Sequence, residues 1–312
     1  MSIANIQQYL QEKAKLPISD LHDRPTSTQT FAGGSHYRIE IAGIESVTNY
    51  ETLVKEAKRR GIPVHRVIGT VGGSARLTMS ELKEYAAIAA ENRIETLVNP
   101  IPSRSWDNGR QYLTSEGYVS GMRIRGQDNL MLWLKEMDRC IEAGLRGFLI
   151  CDEGVLSVVA ALRADGVIPK DVKFKVSVFA GHATPAGAKL IESLGADSFN
   201  PLADLDLSML AAIRSVTSLP MDIYMSIVDA MGGHQRYVEA DEIARVCAPV
   251  YFKIEPGQSE GNLYNSWTND ATLNELITRK LTFAELCMEW CSRSPYHLVC
   301  NDYRDDLSIP VV

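Results

Sequence analysis

The chain has 312 residues, of which 45% are hydrophobic and 23% charged, and its formal net charge is −7. That balance belongs to a folded globular protein and excludes a disordered one. No basic run stands out, so neither nucleic acid nor an anionic membrane is expected as a partner.

The opening residues, MSIANIQQYLQEKAKLP, are polar and mildly amphipathic and lack the apolar stretch of a signal peptide,. No window approaches the ~18 apolar residues of a membrane span. A cytoplasmic location is therefore expected. The six cysteines are irregularly spaced, which does not predict a disulfide framework in a chain of this length. Residues 1–35 read as a helix followed by an irregular arm.

From residue 36 one layout recurs. Short apolar strands are predicted at 36–43, 64–69, 95–101, 147–152, 173–178, 197–202, 221–226 and 250–256. Helical periodicity fills the gaps, with recognisable ends. Thr78 with Glu81 three residues on has the spacing of a capping box,. The segment DNLMLWLKEMDRCIEAG ends on a glycine. Thr184 and Pro185 open a helix that closes at Gly195, and Asp206 caps another,. Strand starts are mostly about 23 to 31 residues apart, which suits repeated βα units. Eight strands alternating with helices predict a (β/α)₈ TIM barrel over 36–312. A doubly wound sheet is the competitor, but AGIES after the first strand is not its glycine fingerprint,. A long excursion at 102–126, with Trp106, Asp107, Arg123 and Arg125, reads as a lid, a hairpin insertion or a subunit contact,. Residues 269–312 hold a last helix and a polar tail.

Alternate strand residues of a closed barrel face its lumen, and chemistry gathers at the carboxyl end. The first strand sets Arg38 and Glu40 on one face, against Tyr37, Ile39 and Ile41 on the other. The fifth sets Lys173, Lys175 and Ser177 against Phe174, Val176 and Val178. The last sets Lys253 and Glu255 against Phe252 and Ile254. The polar faces are expected inside. Closure brings the last strand beside the first, so Lys253 is expected to meet Glu40, and Glu255 to meet Arg38. His65, Arg66, Asn99, Asp152, Asn200, Asp222 and Tyr224 add polar groups near strand ends. Unpaired buried charge is costly, so a polar lumen points to a preorganised site. Structural ion pairing is the alternative reading.

Two lysines and two arginines in one pocket favour a carboxylate or phosphate. Glu40, Asp152, Lys175 and Lys253 are the candidate catalytic residues. Glu40 and Asp152 would move protons, and either lysine would act as base or imine former. Arg38, His65, Arg66, Asn99, Asn200, Tyr224 and Glu255 are the candidate substrate-binding residues. No residue is assigned to a metal. Glu40, His65, Asp152 and Glu255 would be donors for a divalent ion if one is bound, although the lysines oppose it. The glycine loops at 69–77, 178–187 and 229–237 offer backbone N–H groups to an anion, and His182 and His234 sit beside two of them. Cys247, Cys287, Cys291 and Cys300 are better read as packing residues than as iron–sulfur ligands,.

The segments HYRIEIAGIES, RGIPVHRV, GFLICDEGVL, FKVSV and LIESLGADSFNPLADLDLSMLAAIRSVTSLPMDIYM together resemble peptidase family U32, the collagenase-like proteins. The resemblance is to a short single-barrel branch without demonstrated peptidase activity, and it runs over about residues 36–256. It implies a barrel fold. Typical members carry a cysteine set for an iron–sulfur cluster, which the cysteines here do not match. The leading expectation is an enzyme of lyase or hydrolase type acting on a small anionic metabolite by acid/base chemistry, with a homo-oligomer open. A U32-type peptidase or amide hydrolase and a non-catalytic ligand- or partner-binding barrel are the alternatives.

Overall fold

The computed structural model describes residues 3–100, 123–265 and 267–312. Eight parallel strands close in sequence order into a barrel. They are β1 (Tyr37–Ile44), β2 (Val64–Gly69), β3 (Glu95–Val98), β4 (Gly147–Ile150), β5 (Lys173–Val176), β6 (Ser198–Phe199), β7 (Met221–Ser226) and β8 (Val250–Ile254). Each falls inside a predicted strand or within one residue of it. Several stop short of the prediction, because the polar residues after β3 to β6 already belong to the turns. The outer helices are α2 (Val47–Arg60), α3 (Met79–Glu91), α4 (Gly126–Glu142), α5 (Glu153–Ala164), α6 (Pro185–Ser193), α7 (Leu207–Arg214), α8 (Ala240–Cys247) and α10 (Asp270–Ser292). A short α1 (Ile3–Tyr9) precedes the barrel, and a one-turn α9 (Glu260–Leu263) follows β8. Most of the 102–126 excursion, including Trp106 and Asp107, lies outside the described residues.

Side-chain caps fix where the helices begin. Thr78 accepts from Glu81 N, and Glu81 returns the bond to Thr78 N, completing the predicted box at α3,. Thr184 caps α6, with Pro185 as its first residue, and Asp206 caps α7. The helices then cover the outward strand faces. Ile39, Ile41, Val67, Phe148, Phe174, Val176, Phe252 and Ile254 pack there with Leu53, Leu82, Met137, Val159 and Ile277 in one continuous core. Burying such side chains contributes roughly 1.5–3 kcal/mol each.

The lumen is divided. Near the carboxyl end on the β1–β4 side, Ala42, Ile68, Leu97 and Leu149 form a small apolar cluster. The β5–β8 side and the lower lumen carry the charges. The amino end is closed by the chain itself. Phe31 of the N-terminal arm packs edge-on against Tyr251, with ring centroids 4.9 Å apart. The C-terminal tail crosses the same end. Val299 O accepts from His36 N, Ser308 Oγ donates to Asp171 O, and Val311 N donates to Gly144 O. No helix among the described residues is long and apolar enough to cross a membrane.

Candidate functional site: a charged lumen in three layers

At the floor, Arg38 enters from the start of β1. Its Nη2 and Nη1 lie 2.7 and 3.1 Å from the two carboxylate oxygens of Asp306. The expected Arg38–Glu255 pair does not form. Register places Arg38 beside Tyr251, and Glu255 lies four residues further on, roughly 13 Å along the strand. The tail supplies the carboxylate instead.

The middle layer holds Glu40, Arg66, Lys175 and Asp222, all buried. Lys175 Nζ lies 2.6 and 2.7 Å from the two oxygens of Glu40 and 3.3 Å from Asp222. Arg66 donates to Asp222 at 2.9 Å, to Ser198 at 3.1 Å and to Glu95 at 2.5 Å, and lies 3.5 Å from the centre of the Tyr251 ring. The expected Lys253–Glu40 pair is also replaced. The two are register neighbours, yet Lys175 reaches across the lumen and takes Glu40.

These contacts set the charge states. Burial alone would raise the Glu40 carboxyl, but Lys175, Lys253 and Arg66 outweigh it and hold Glu40 at about 2. Burial pushes Asp222 up to about 7, against the pull of Lys175, and the Glu40 charge adds to the rise. Burial likewise pulls Lys175 down in spite of its carboxylates. Oδ2 of Asp222 has no hydrogen-bond donor and faces Glu40. A proton on Asp222 satisfies both oxygens, and the layer then balances Glu40 and Glu95 against Arg66 and Lys175.

The mouth layer is built by β7, β8 and the turns after β3, β5 and β6. Lys253 Nζ lies 3.2 Å from Asn200 Oδ1, 3.7 Å from Glu255 and 4.4 Å from the centre of the Tyr224 ring. Tyr224 donates to Glu255 Oε2 at 3.1 Å, and Oε1 has no partner in hydrogen-bond geometry. Asn99 donates to Val71 O, and its own Oδ1 is unpartnered. A cavity of about 10 Å³ lies between Lys253, Glu255, Tyr224, Ser177 and Asn99, which is room for one water.

Two predicted site residues are elsewhere. His65 points out of the lumen, where its Nδ1 accepts from Ile39 N and its Nε2 lies 2.8 Å from Asn301 O. Its neighbours in the lumen are Arg66 and Ile68, because strand parity alternates. Burial pulls His65 down to about 3, so it is neutral. Asp152 caps α5, accepting from Gly154 N and Val155 N, with its other oxygen 3.8 Å from Arg123. It sits at the rim beside Glu153, whose carboxylate takes Arg123 and lies 3.0 Å from His182 Nε2. Glu40, His65, Asp152 and Glu255 therefore do not converge. Among the described residues no three His, Cys, Asp or Glu side chains are grouped to hold a metal ion.

The glycine loop after β2 is not open to an anion either. Glu45 of the same chain takes Val71 N at 2.7 Å and Gly72 N at 2.9 Å. Gly73, Gly232 and Gly233 give their N–H groups to nearby carbonyls. Cys247, Cys287 and Cys291 are buried in the outer core with free thiols, and Cys300 packs against it.

Glu95, Ser198, Tyr251 and Asp306 escaped the sequence reading. Glu95 and Ser198 share parity with the luminal Leu97 and Asn200, a signal that was present but short. The tail residue gave none. Lys280 also escaped. It lies on α10 and is fully buried, and its Nζ donates to Ala42 O at 2.5 Å and Gly43 O at 3.3 Å.

No family model and no curated protein matches the chain. Among solved structures it is similar to the YdjI aldolase from Escherichia coli K12, at 12% identity over 81% of this chain and 90% of that one, TM-score 0.47. It is similar to D-psicose 3-epimerase from Clostridium cellulolyticum H10, at 13% identity over 80% and 99%, TM-score 0.45. It is also similar to the U32 peptidase Mk0906, at 18% identity over 89% and 87%, TM-score 0.40. None of these likenesses assigns an activity to this chain.

Proposed function

We propose that the chain is an enzyme of lyase or hydrolase type that moves a proton on a small anionic metabolite at the carboxyl end of its barrel. One observation carries this reading. Lys253 and Glu255 stand 3.7 Å apart at the mouth, both nearly inaccessible, with the Tyr224 and Tyr264 hydroxyls against the Glu255 carboxylate. A cation to receive a carboxylate or phosphate and a carboxylate to take a proton are the two parts such chemistry needs.

The roles divide by layer. Lys253 holds the anion or forms an imine with a carbonyl, since it is not bound between two carboxylates as Lys175 is. Glu255 is the base, with Tyr224 fixing its orientation. Asn200 and Asn99 offer polar contacts at the same level. Glu40, Lys175, Arg66 and Asp222 form the floor under the site and set its potential, and Asp222 serves as the proton store. Asp152, with Glu153, Arg123 and His182, belongs to the rim through which substrate arrives.

A relation to the single-barrel branch of peptidase family U32 is part of the proposal. It rests on the quoted segments, which fall on β1, β2, β4, β5, β6 and β7 and their turns. Peptide cleavage is the second reading and would need its own nucleophile or activated water.

The test is solvent exchange. Small carboxylates and phosphate esters are incubated with the protein in deuterated water and followed by proton NMR. The proposal expects deuterium uptake or turnover of at least one, lost in Glu255→Gln and weakened in Lys253→Met. A panel left wholly unexchanged, or exchange undiminished in both variants, overturns it. Borohydride then separates the two roles of Lys253, because only an imine leaves a covalent adduct.

A further inference from the structure

A cavity lined by luminal residues lies at the other end of the barrel. It has a volume of about 240 Å³ and sits below the middle layer, where the arm and the tail cross the barrel. On the measure by which roughly 10–15 Å³ holds one water, that is room for a small ligand. The amino end of a barrel ordinarily serves stability and is filled by side chains. Here the space is lined by four cationic side chains, Arg38, Arg66, Lys173 and Lys175, with the rings of Phe31 and Tyr251 beside them.

The lining carboxylates are largely committed. Asp306 is held by Arg38, Glu95 takes both Arg66 and Ser308 N, and Asp197 takes Arg163 at 2.6 Å and Phe174 N at 2.8 Å. Two of the cations are less fully engaged. Arg38 is 1% exposed, and its Nε–H makes no well-formed hydrogen bond among the described residues, with the Tyr251 hydroxyl beside the guanidinium. Lys173 reaches only 3.4 Å from the shared Asp197, and its side chain is 40% exposed. It stands where a ligand enters. A buried guanidinium and a partly exposed ammonium lining one void are a donor set that carboxylates and phosphates select,.

From this geometry we infer a second ligand site, at the amino end of the barrel, for a small anion with a carboxylate or phosphate head. It is separate from the site proposed at the mouth, because the Glu40–Lys175–Arg66–Asp222 layer lies between them. It is also coupled to that layer. Arg66 lines the cavity and donates to Asp222, so an anion that draws on Arg66 changes the charge beneath the mouth. The site therefore fits an effector rather than a substrate.

Calorimetric titration of the full chain with inorganic phosphate and with malonate, at constant ionic strength, tests this. Saturable binding of at least one is expected. Its dissociation constant should rise about tenfold or more in Lys173→Met, a half-exposed position where folding is not at stake. Arg38→Lys, which keeps the charge and loses Nε–H, should show the same weakening. Lys253→Met, which removes the cation at the opposite end, should bind as the parent does. No saturable binding of either anion overturns the inference. So does an affinity unchanged in both Lys173→Met and Arg38→Lys, or binding lost in Lys253→Met, which would place the anion at the mouth.

Discussion

Lys175 Nζ sits 2.6 Å from Oε1 and 2.7 Å from Oε2 of Glu40, and neither side chain reaches solvent. The pair joins β5 to β1 across the lumen and anchors the layer on which the proposed site rests. Buried ion pairs add little net stability over apolar replacements, but losing one partner strands the other.

Glu40→Gln and Lys175→Met are each expected to cost up to about 3–5 kcal/mol, because each removes the nearest partner of a buried charge,. The double variant is expected to cost clearly less than the sum of the two, since no stranded charge remains. Urea unfolding followed by circular dichroism measures all three. Additive losses would show that the two side chains do not act as a unit.

Asp222 carries a pH dependence that the variants isolate. Its carboxyl stands at about 7 in the fold, above its ordinary 3.8, because of burial. The folded state therefore holds a proton that the unfolded chain has released, and stability from this group is lost as pH rises from about 4 through 7. His65 works the other way over much of the same range. It stands at about 3, below its ordinary 6.5, so its contribution is lost as pH falls below 6.5. The two slopes oppose each other in the parent. In Asp222→Asn the Asp222 slope is gone, and that variant should gain on the parent between pH 5 and about 7 and hold the gain above that. A stability difference flat with pH would refute the raised carboxyl.

The tail contact should be worth far more than its exposed neighbour. Asp306→Ala removes both oxygens from a buried Arg38 and should cost about 2–3 kcal/mol, as for hydrogen bonds to charged groups. Asp305→Ala removes an ion pair with Arg93 in which both side chains are more than half exposed. It should change stability by no more than about 0.5 kcal/mol. Thermal melts of the two variants side by side decide this, and equal losses would mean that Arg38 does not depend on the tail.

Lys280 predicts behaviour at alkaline pH. Burial pulls its ammonium down to about 8 from 10.5, so between those values the unfolded chain binds the extra proton. Stability from this group is present at high pH and is lost as pH falls through 8. The parent should gain on Lys280→Met as pH rises from 8 to 10. A constant difference across that range would mean that the lysine keeps an ordinary affinity for its proton.

Sequence alone determined the barrel and the inner wall. Eight apolar runs separated by capped helices leave few ways to bury both faces of every strand, and period-two alternation assigned Arg38, Glu40, Lys175, Lys253 and Glu255 to one face before any coordinates. Caps at Thr78, Thr184 and Asp206 were legible because they depend on residues three or fewer positions apart. Tertiary structure decided which charge meets which. Lys175 rather than Lys253 takes Glu40, because reach across a lumen depends on strand stagger and on which groups face each other, and neither is written locally. Arg38 finds Asp306 because a tail more than 260 residues away happens to cross the floor. The depth of the amino-end cavity was decided in the same way, since it exists only where the arm, tail and strand ends come together.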